Sequence, residues 1–135
     1  MVEQKAESVV QQEIQIGAKH FGCTLMRNNC GSAFDQTGRL VRYGLGNVSK
    51  QHQERMASSD LIGITQVVVT PEMVGMTIGV FTAIEVKKEE WNPAKTLDKR
   101  EVAQNNFMHW VRLNGGLAGF ANSVEMMKKV FTWNK

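Results

Sequence analysis

Residues 60–87 read DLIGITQVVVTPEMVGMTIGVFTAIEVK. Asp60 to Val69 and Thr77 to Val86 are two β-branched runs, the residue type that fits a pleated surface. Pro71, Glu72 and Gly75 between them suit a turn, so the stretch predicts an antiparallel hairpin. Turning near Pro71 to Met73, such a hairpin sets residue 60 opposite residues 84–86. Glu85 and Lys87 alternate with Ile84 and Val86 and therefore share one face. The Val86 side chain points away, while its backbone carbonyl stays beside that face. A slip of one residue in register would separate Asp60 from the pair.

Before this stretch, Ala6 to Phe21 reads as a helix, with Val10, Ile14, Ala18 and Phe21 on one stripe. Gly22 is a natural stop, because glycine takes the left-handed conformation without steric cost. Glu7 falls on the same inward stripe, in line with Gln11, and a carboxylate there needs a cation or hydrogen-bond partners. Glu13 falls on the far, solvated side. Thr24 to Arg27 and Arg39 to Tyr43 are short strand candidates. Asn28 to Gly38 is rich in Gly, Asn, Ser and Asp and reads as a loop. Gly44 to Ser59 is polar and reads as a surface segment.

After the stretch, Asp98 with Glu101 three residues later has the form of a capping box. The helix it opens is expected to turn Ala103, Phe107, Trp110 and Val111 inward and to end at Gly115-Gly116. Leu117 to Ala121 follows as a strand. Ser123 then caps a last helix, with Val124, Met127, Val130 and Phe131 available for packing. The order predicts an α/β sandwich, a central mixed β-sheet flanked by helices, built as a single domain over residues 1–135.

The bulk numbers suit that reading. The chain has 135 residues, 42% of them hydrophobic and 21% charged, and no apolar run near the ~18 residues that span a bilayer. Nothing at Met1 to Lys5 resembles a signal peptide. Cys23 and Cys30 form neither a disulfide framework nor a zinc motif, which suits free thiols in a reducing cytoplasm. His20, His52 and His109 are scattered without metal-ligand spacing. The formal charge of +3 is compatible with a polyanionic partner without demanding one.

Carboxylates converging at one point repel each other, and a hard cation such as Mg²⁺ relieves that repulsion. A metal-bound water becomes a nucleophile at neutral pH. An adjacent ammonium offsets charge that builds on a phosphoryl oxygen. Asp60, Glu85 and Lys87, with Glu7 nearby, therefore read as a site for phosphodiester hydrolysis. An E-x-K triplet alone is common on solvated strand edges. The weight here comes from the Asp that opens the partner strand.

Taken together, these residues resemble the VRR-NUC domain, a branch of the PD-(D/E)-x-K nuclease superfamily that also occurs as small stand-alone proteins in phages and bacteria. Glu7-Ser-Val-Val-Gln11 is similar to the family's E-x-x-x-Q helix, and Arg27-Asn28-Asn29-Cys30-Gly31 to its R-N-x-x-G segment. Asp60-Leu61-Ile62-Gly63-Ile64 resembles the D-L-I-G strand and Ala83-Ile84-Glu85-Val86-Lys87 the I-E-x-K strand. Gln104 with Phe107 and Gly115-Gly116 resembles the closing Q-x-x-F…G-G helix. Where the family often carries Gly-x-Pro before the Asp, this chain has Ser58-Ser59-Asp60.

The resemblance implies roles. Asp60, Glu85 and the Val86 carbonyl would hold Mg²⁺, with Mn²⁺ as a substitute. Lys87 would position or activate the water, Glu7 would complete the acidic cluster or reach the metal through water, and Gln104 would support the site. It implies a homodimer, with no membrane partner, that cuts branched DNA such as four-way (Holliday) junctions to 5′-phosphate and 3′-hydroxyl ends. Arg27, Arg42 and Lys88 flank the expected site and are the leading phosphate contacts. Trp91 is a candidate for stacking on an unpaired base, though packing is the commoner use of tryptophan. The competing readings are a DNA-binding module of the same fold without catalysis, and a sequence-reading restriction-type enzyme.

Overall fold

The computed structural model describes residues 4–131. They fall into two compact units, the first ending at Thr65 and the second beginning at Gln66.

In the first unit, helix α1 (Glu7–Ala18) runs into one 3₁₀ turn and stops at Gly22, whose φ of 71° is the left-handed value expected. Strand β1 (Cys23–Arg27) follows at once. Hairpin β2 (Gly31–Phe34) and β3 (Leu40–Tyr43) comes next, then helix α2 (Lys50–Arg55) and strand β4 (Leu61–Thr65). β1 pairs antiparallel with β4, Thr24 opposite Ile64 and Arg27 opposite Leu61. Gly63 is required in this ladder: a Cβ there would fall on the Thr24 carbonyl and within 2.9 Å of Leu25 Cα. Ile64 is the buried apolar residue of the unit.

The segment expected as a loop, Asn28 to Gly38, contains β2. Its turn is held by Asp35 Oδ1, which accepts hydrogen bonds from the Thr37 N–H, the Thr37 hydroxyl and the Arg39 N–H at 2.9, 2.6 and 2.9 Å. The Thr37 hydroxyl, foremost among these donors, holds the Asp35 carboxyl below its ordinary value. The polar segment 44–59 carries α2, capped by Ser49 Oγ accepting from His52 N at 3.1 Å.

The face that α1 turns inward also differs from the expectation. Gln11, Gln15 and Ala18 are half-buried, and Gln15 Nε2 donates to the Leu25 carbonyl at 3.2 Å. Val10, Ile14 and Phe21 are exposed, and so is Glu7. The helix therefore leans on β1 through a polar stripe about one residue round from the apolar one.

In the second unit, strand β5 (Thr82–Val86), helix α3 (Lys99–Leu113) and strand β6 (Leu117–Ala121) form a parallel β-α-β arrangement, followed by α4 (Val124–Val130). Parallel strands need a long crossover, and α3 supplies it. The capping box forms as the sequence indicates: Asp98 Oδ1 accepts from Glu101 N at 2.8 Å, and Glu101 Oε1 accepts from Asp98 N at 3.2 Å. Gly115, at φ 86°, ends α3, and Ser123 Oγ accepts from Met126 N to start α4. Met108 and Val111 on α3, with Ala118 and Ala121 on β6, are buried apolar residues of this unit. Of the residues expected inward, Val111 is fully buried and Trp110 half-buried, while Ala103 and Phe107 are exposed; Glu101, Gln104 and Met108 join Val111 on the inward stripe.

The β4–β5 hairpin expected from residues 60–87 is not among the ladders. β4 is paired with β1 and β5 with β6. Residues 66–81 lie outside strands, with one 3₁₀ turn at Pro71–Met73, and Val67, Val68 and Val69 are exposed. The described residues thus form three two-stranded sheets with helices, a mixed α/β arrangement without the single central sheet expected. Among them no helix is long and apolar enough to cross a membrane.

Candidate functional site

The second unit holds the denser array of chemistry. Alternation along β5 puts Glu85 and Lys87 on one face, and both reach Gln104 on α3. Gln104 Nε2 donates to Glu85 Oε1 at 2.6 Å, and Lys87 Nζ donates to Gln104 Oε1 at 2.9 Å. One neutral amide therefore joins an acid and a base while keeping them from pairing with each other. The Val86 side chain points away and is 76% exposed, as alternation requires. The next amide, Lys87 N, donates to the Ala121 carbonyl at 2.9 Å and fixes the end of the strand.

Beneath Lys87 lies Glu101, 3% exposed. Its Oε2 is 3.3 Å from Lys87 Nζ and accepts from Trp91 Nε1 at 2.7 Å. Its Oε1 is 2.9 Å from Lys95 Nζ and accepts the capping-box hydrogen bond. Buried carboxylates are costly unless paired and hydrogen-bonded, and this one is both. The Lys95 ammonium, followed by the Asp98 N–H, the Trp91 indole and Lys87, holds the Glu101 carboxyl at about 2, against the upward push of burial. Lys87 Nζ also lies 5.1 Å from the centre of the Phe120 ring, a cation–π distance.

These groups line an open cleft of about 570 Å³, whose other walls include Val86, Lys88, Glu90, Asp98 and Arg100. An apolar hollow of about 500 Å³, lined by Ala83, Ile84, Phe107 and Met108, shares Glu85, Arg100 and Gln104 with it. Trp91 is half-buried, donates its indole N–H to Glu101 and packs on Phe120 with ring centres 5.2 Å apart. Its indole N–H is thus engaged with the carboxylate, while the residue also lines the cleft.

Of the residues singled out in the sequence, Glu85, Val86, Lys87, Lys88 and Gln104 come together in this cleft. Asp60, Glu7, Arg27 and Arg42 belong to the first unit. Asp60 is exposed at the start of β4, and its carbonyl accepts from Asn28 N at 2.8 Å. Arg27 ends the neighbouring strand β1 and is exposed, while Arg42 is half-buried on β3. Asn28 organises that end of the unit. Its Nδ2 donates to Ser58 Oγ and the Ser59 carbonyl at 2.9 and 2.8 Å, and its Oδ1 accepts from Leu45 N at 3.1 Å. Among the described residues, no group of three His, Cys, Asp or Glu side chains converges as a metal cage in either unit.

Sequence reasoning recognised Glu101 as a cap but not as the carboxylate under Lys87. The signal was present: Glu101, Gln104, Met108 and Val111 follow helical spacing, so an acid stood on the buried stripe. Compared with protein-family models, with curated proteins and with solved structures, the chain finds no match in any of the three.

Proposed function

We propose that the chain is a metal-dependent, structure-selective DNA endonuclease, with Glu85, Lys87 and Gln104 as its catalytic edge. The observation that carries this reading is the hydrogen-bond account of Lys87. An ammonium has three donors. One goes to Gln104 and one faces Glu101, and beyond the Phe120 ring the third has no oxygen acceptor among the described residues, which leaves it open to an oxygen of a ligand. A half-buried lysine held this way, beside a carboxylate on an open cleft, suits recognition of a phosphoryl oxygen.

Glu85 fits a divalent cation. Its Oε1 accepts from a neutral amide, and among the described residues neither of its oxygens lies in an ion pair, so its charge remains unneutralised. Glu85 and the Val86 carbonyl would hold the ion, and a bound ion supplies Lewis-acid polarisation and a more acidic water. Gln104 orients the Glu85 carboxylate toward the cleft. Lys87 offsets negative charge on the phosphoryl group, and its tether spares the reorganisation that a free lysine would need. Lys88 and Arg100 on the cleft wall offer backbone-phosphate contacts that position DNA without reading sequence.

The test is incubation of the purified protein with four-way junction and linear duplex DNA in Mg²⁺, Mn²⁺ or Ca²⁺. The reading expects cutting of the branched substrate with Mg²⁺ or Mn²⁺, leaving 5′-phosphate ends. DNA binding without cutting under every metal condition would make the chain a binding module instead.

A further inference from the structure

Glu101 occupies a place that its capping role does not explain. A capping-box glutamate needs one oxygen for the N-cap amide and is ordinarily solvated. Here the second oxygen points inward to Lys87 and Trp91, and the residue is 3% exposed. A capping function alone gives no reason to bury a carboxylate among two lysines and an indole.

We infer that Glu101 is the positioning residue of Lys87: its buried carboxylate, steadied by Trp91 and Lys95, fixes the Lys87 ammonium at the height where its remaining N–H faces the cleft. The consequence for cleavage rests on the function proposed above; the positioning itself rests on geometry. Trp91 sets the direction of Oε2, because its indole N–H and the Lys87 ammonium share that oxygen at 2.7 and 3.3 Å. Lys95, with its side chain 42% exposed, pairs with the other oxygen at 2.9 Å. Gln104 supplies the second tether, so Lys87 is held from two sides by two residues of α3 three positions apart. One helix face thereby presents both the amide that orients the acid and the carboxylate that orients the base.

The experiment measures ¹⁵N relaxation of the lysine side-chain ammonium groups in wild type, Glu101→Gln and Asp98→Ala. In wild type, the Lys87 ammonium should be as ordered as rigid backbone and the exposed Lys19 ammonium mobile. In Glu101→Gln, Lys87 should become as mobile as Lys19. Asp98→Ala breaks the same capping box from the other side and should leave Lys87 ordered, which a merely structural role for Glu101 does not predict. A Lys87 ammonium already as mobile as Lys19 in wild type overturns the inference even if Glu101→Gln fails to fold; so does an ordered Lys87 in a folded Glu101→Gln. In a parallel cleavage assay, Glu101→Gln should lower kcat about ten-fold with KM little changed, the scale of one lost charge-assisted hydrogen bond. In a Lys87→Ala background it should add nothing. A wild type that cuts no DNA defeats the proposed function, while the relaxation data still decide the positioning.

Discussion

Gln104 Nε2 donates to Glu85 Oε1 at 2.6 Å, so the orientation of the acid is set by a neutral side chain rather than by the lysine two residues along the strand. Replacing Gln104 by Ala removes the amide from both Glu85 and Lys87. The expected result is a fall in kcat of about 10–100-fold, the usual cost of losing a group that orients a ligand. Thermal unfolding should change little, because Gln104 is only half-buried. Steady-state cleavage and a melting curve on the same preparation check both parts.

Acid should act on the second unit through Glu101. Its carboxyl is held at about 2, chiefly by Lys95, below the ordinary 4.5. A depressed folded-state value means that the unfolded chain binds the proton more readily. The stabilisation is therefore complete above about 4.5 and is lost as pH falls from there through about 2. Urea midpoints across that window should decline in wild type and decline less in Glu101→Gln. Parallel pH curves would show that the carboxylate contributes no differential stability.

Gly63→Ala should destabilise the β1–β4 ladder. The added methyl meets the Thr24 carbonyl and Leu25 Cα, both backbone atoms that cannot swing aside. Overpacking of this kind costs about 1–3 kcal/mol. Gly17→Ala is the control, since a Cβ there meets nothing within 4 Å. Urea denaturation of the two variants should separate them clearly.

Asn28→Ala removes the side chain that ties Ser58, Ser59 and Leu45 together beside Asp60. The loss of these bonds is expected to cost about 1–3 kcal/mol. Faster amide hydrogen exchange at Leu45, whose N–H donates to Asn28 Oδ1, reads the effect directly. Unchanged exchange there would mean that Asn28 does not organise this end of the unit.

Local signals in the sequence located the elements well. Gly22, the Asp98–Glu101 box, Gly115 and Ser123 all mark boundaries where the structure has them, because a cap is decided by residues three or four apart. Pairing was less legible. β-branched runs state that a segment is extended, not which strand it meets, and residues 66–70 lie exposed outside any ladder. β2 was hidden because Gly31-Ser32-Ala33-Phe34 carries little apolar alternation and depends on the Asp35 turn. The α1 and α3 faces lie about one position from the apolar stripes, since Gln15 and Gln104 are half-buried for hydrogen bonds to β1 and β5 rather than for hydrophobicity. At the site, alternation along β5 was enough to put Glu85 and Lys87 on one face. The contribution of Glu101 was missed because the capping role offered a complete local reason for it.

The most direct test of the account is cleavage of an end-labelled four-way junction in Mg²⁺ by wild type, Glu85→Gln and Lys87→Ala, with junction binding measured alongside. The account predicts that wild type cuts, and that both variants bind the junction yet cut it at least about a hundred-fold more slowly. Wild type that leaves the junction intact, or a Lys87→Ala protein that cuts at the wild-type rate, would contradict it.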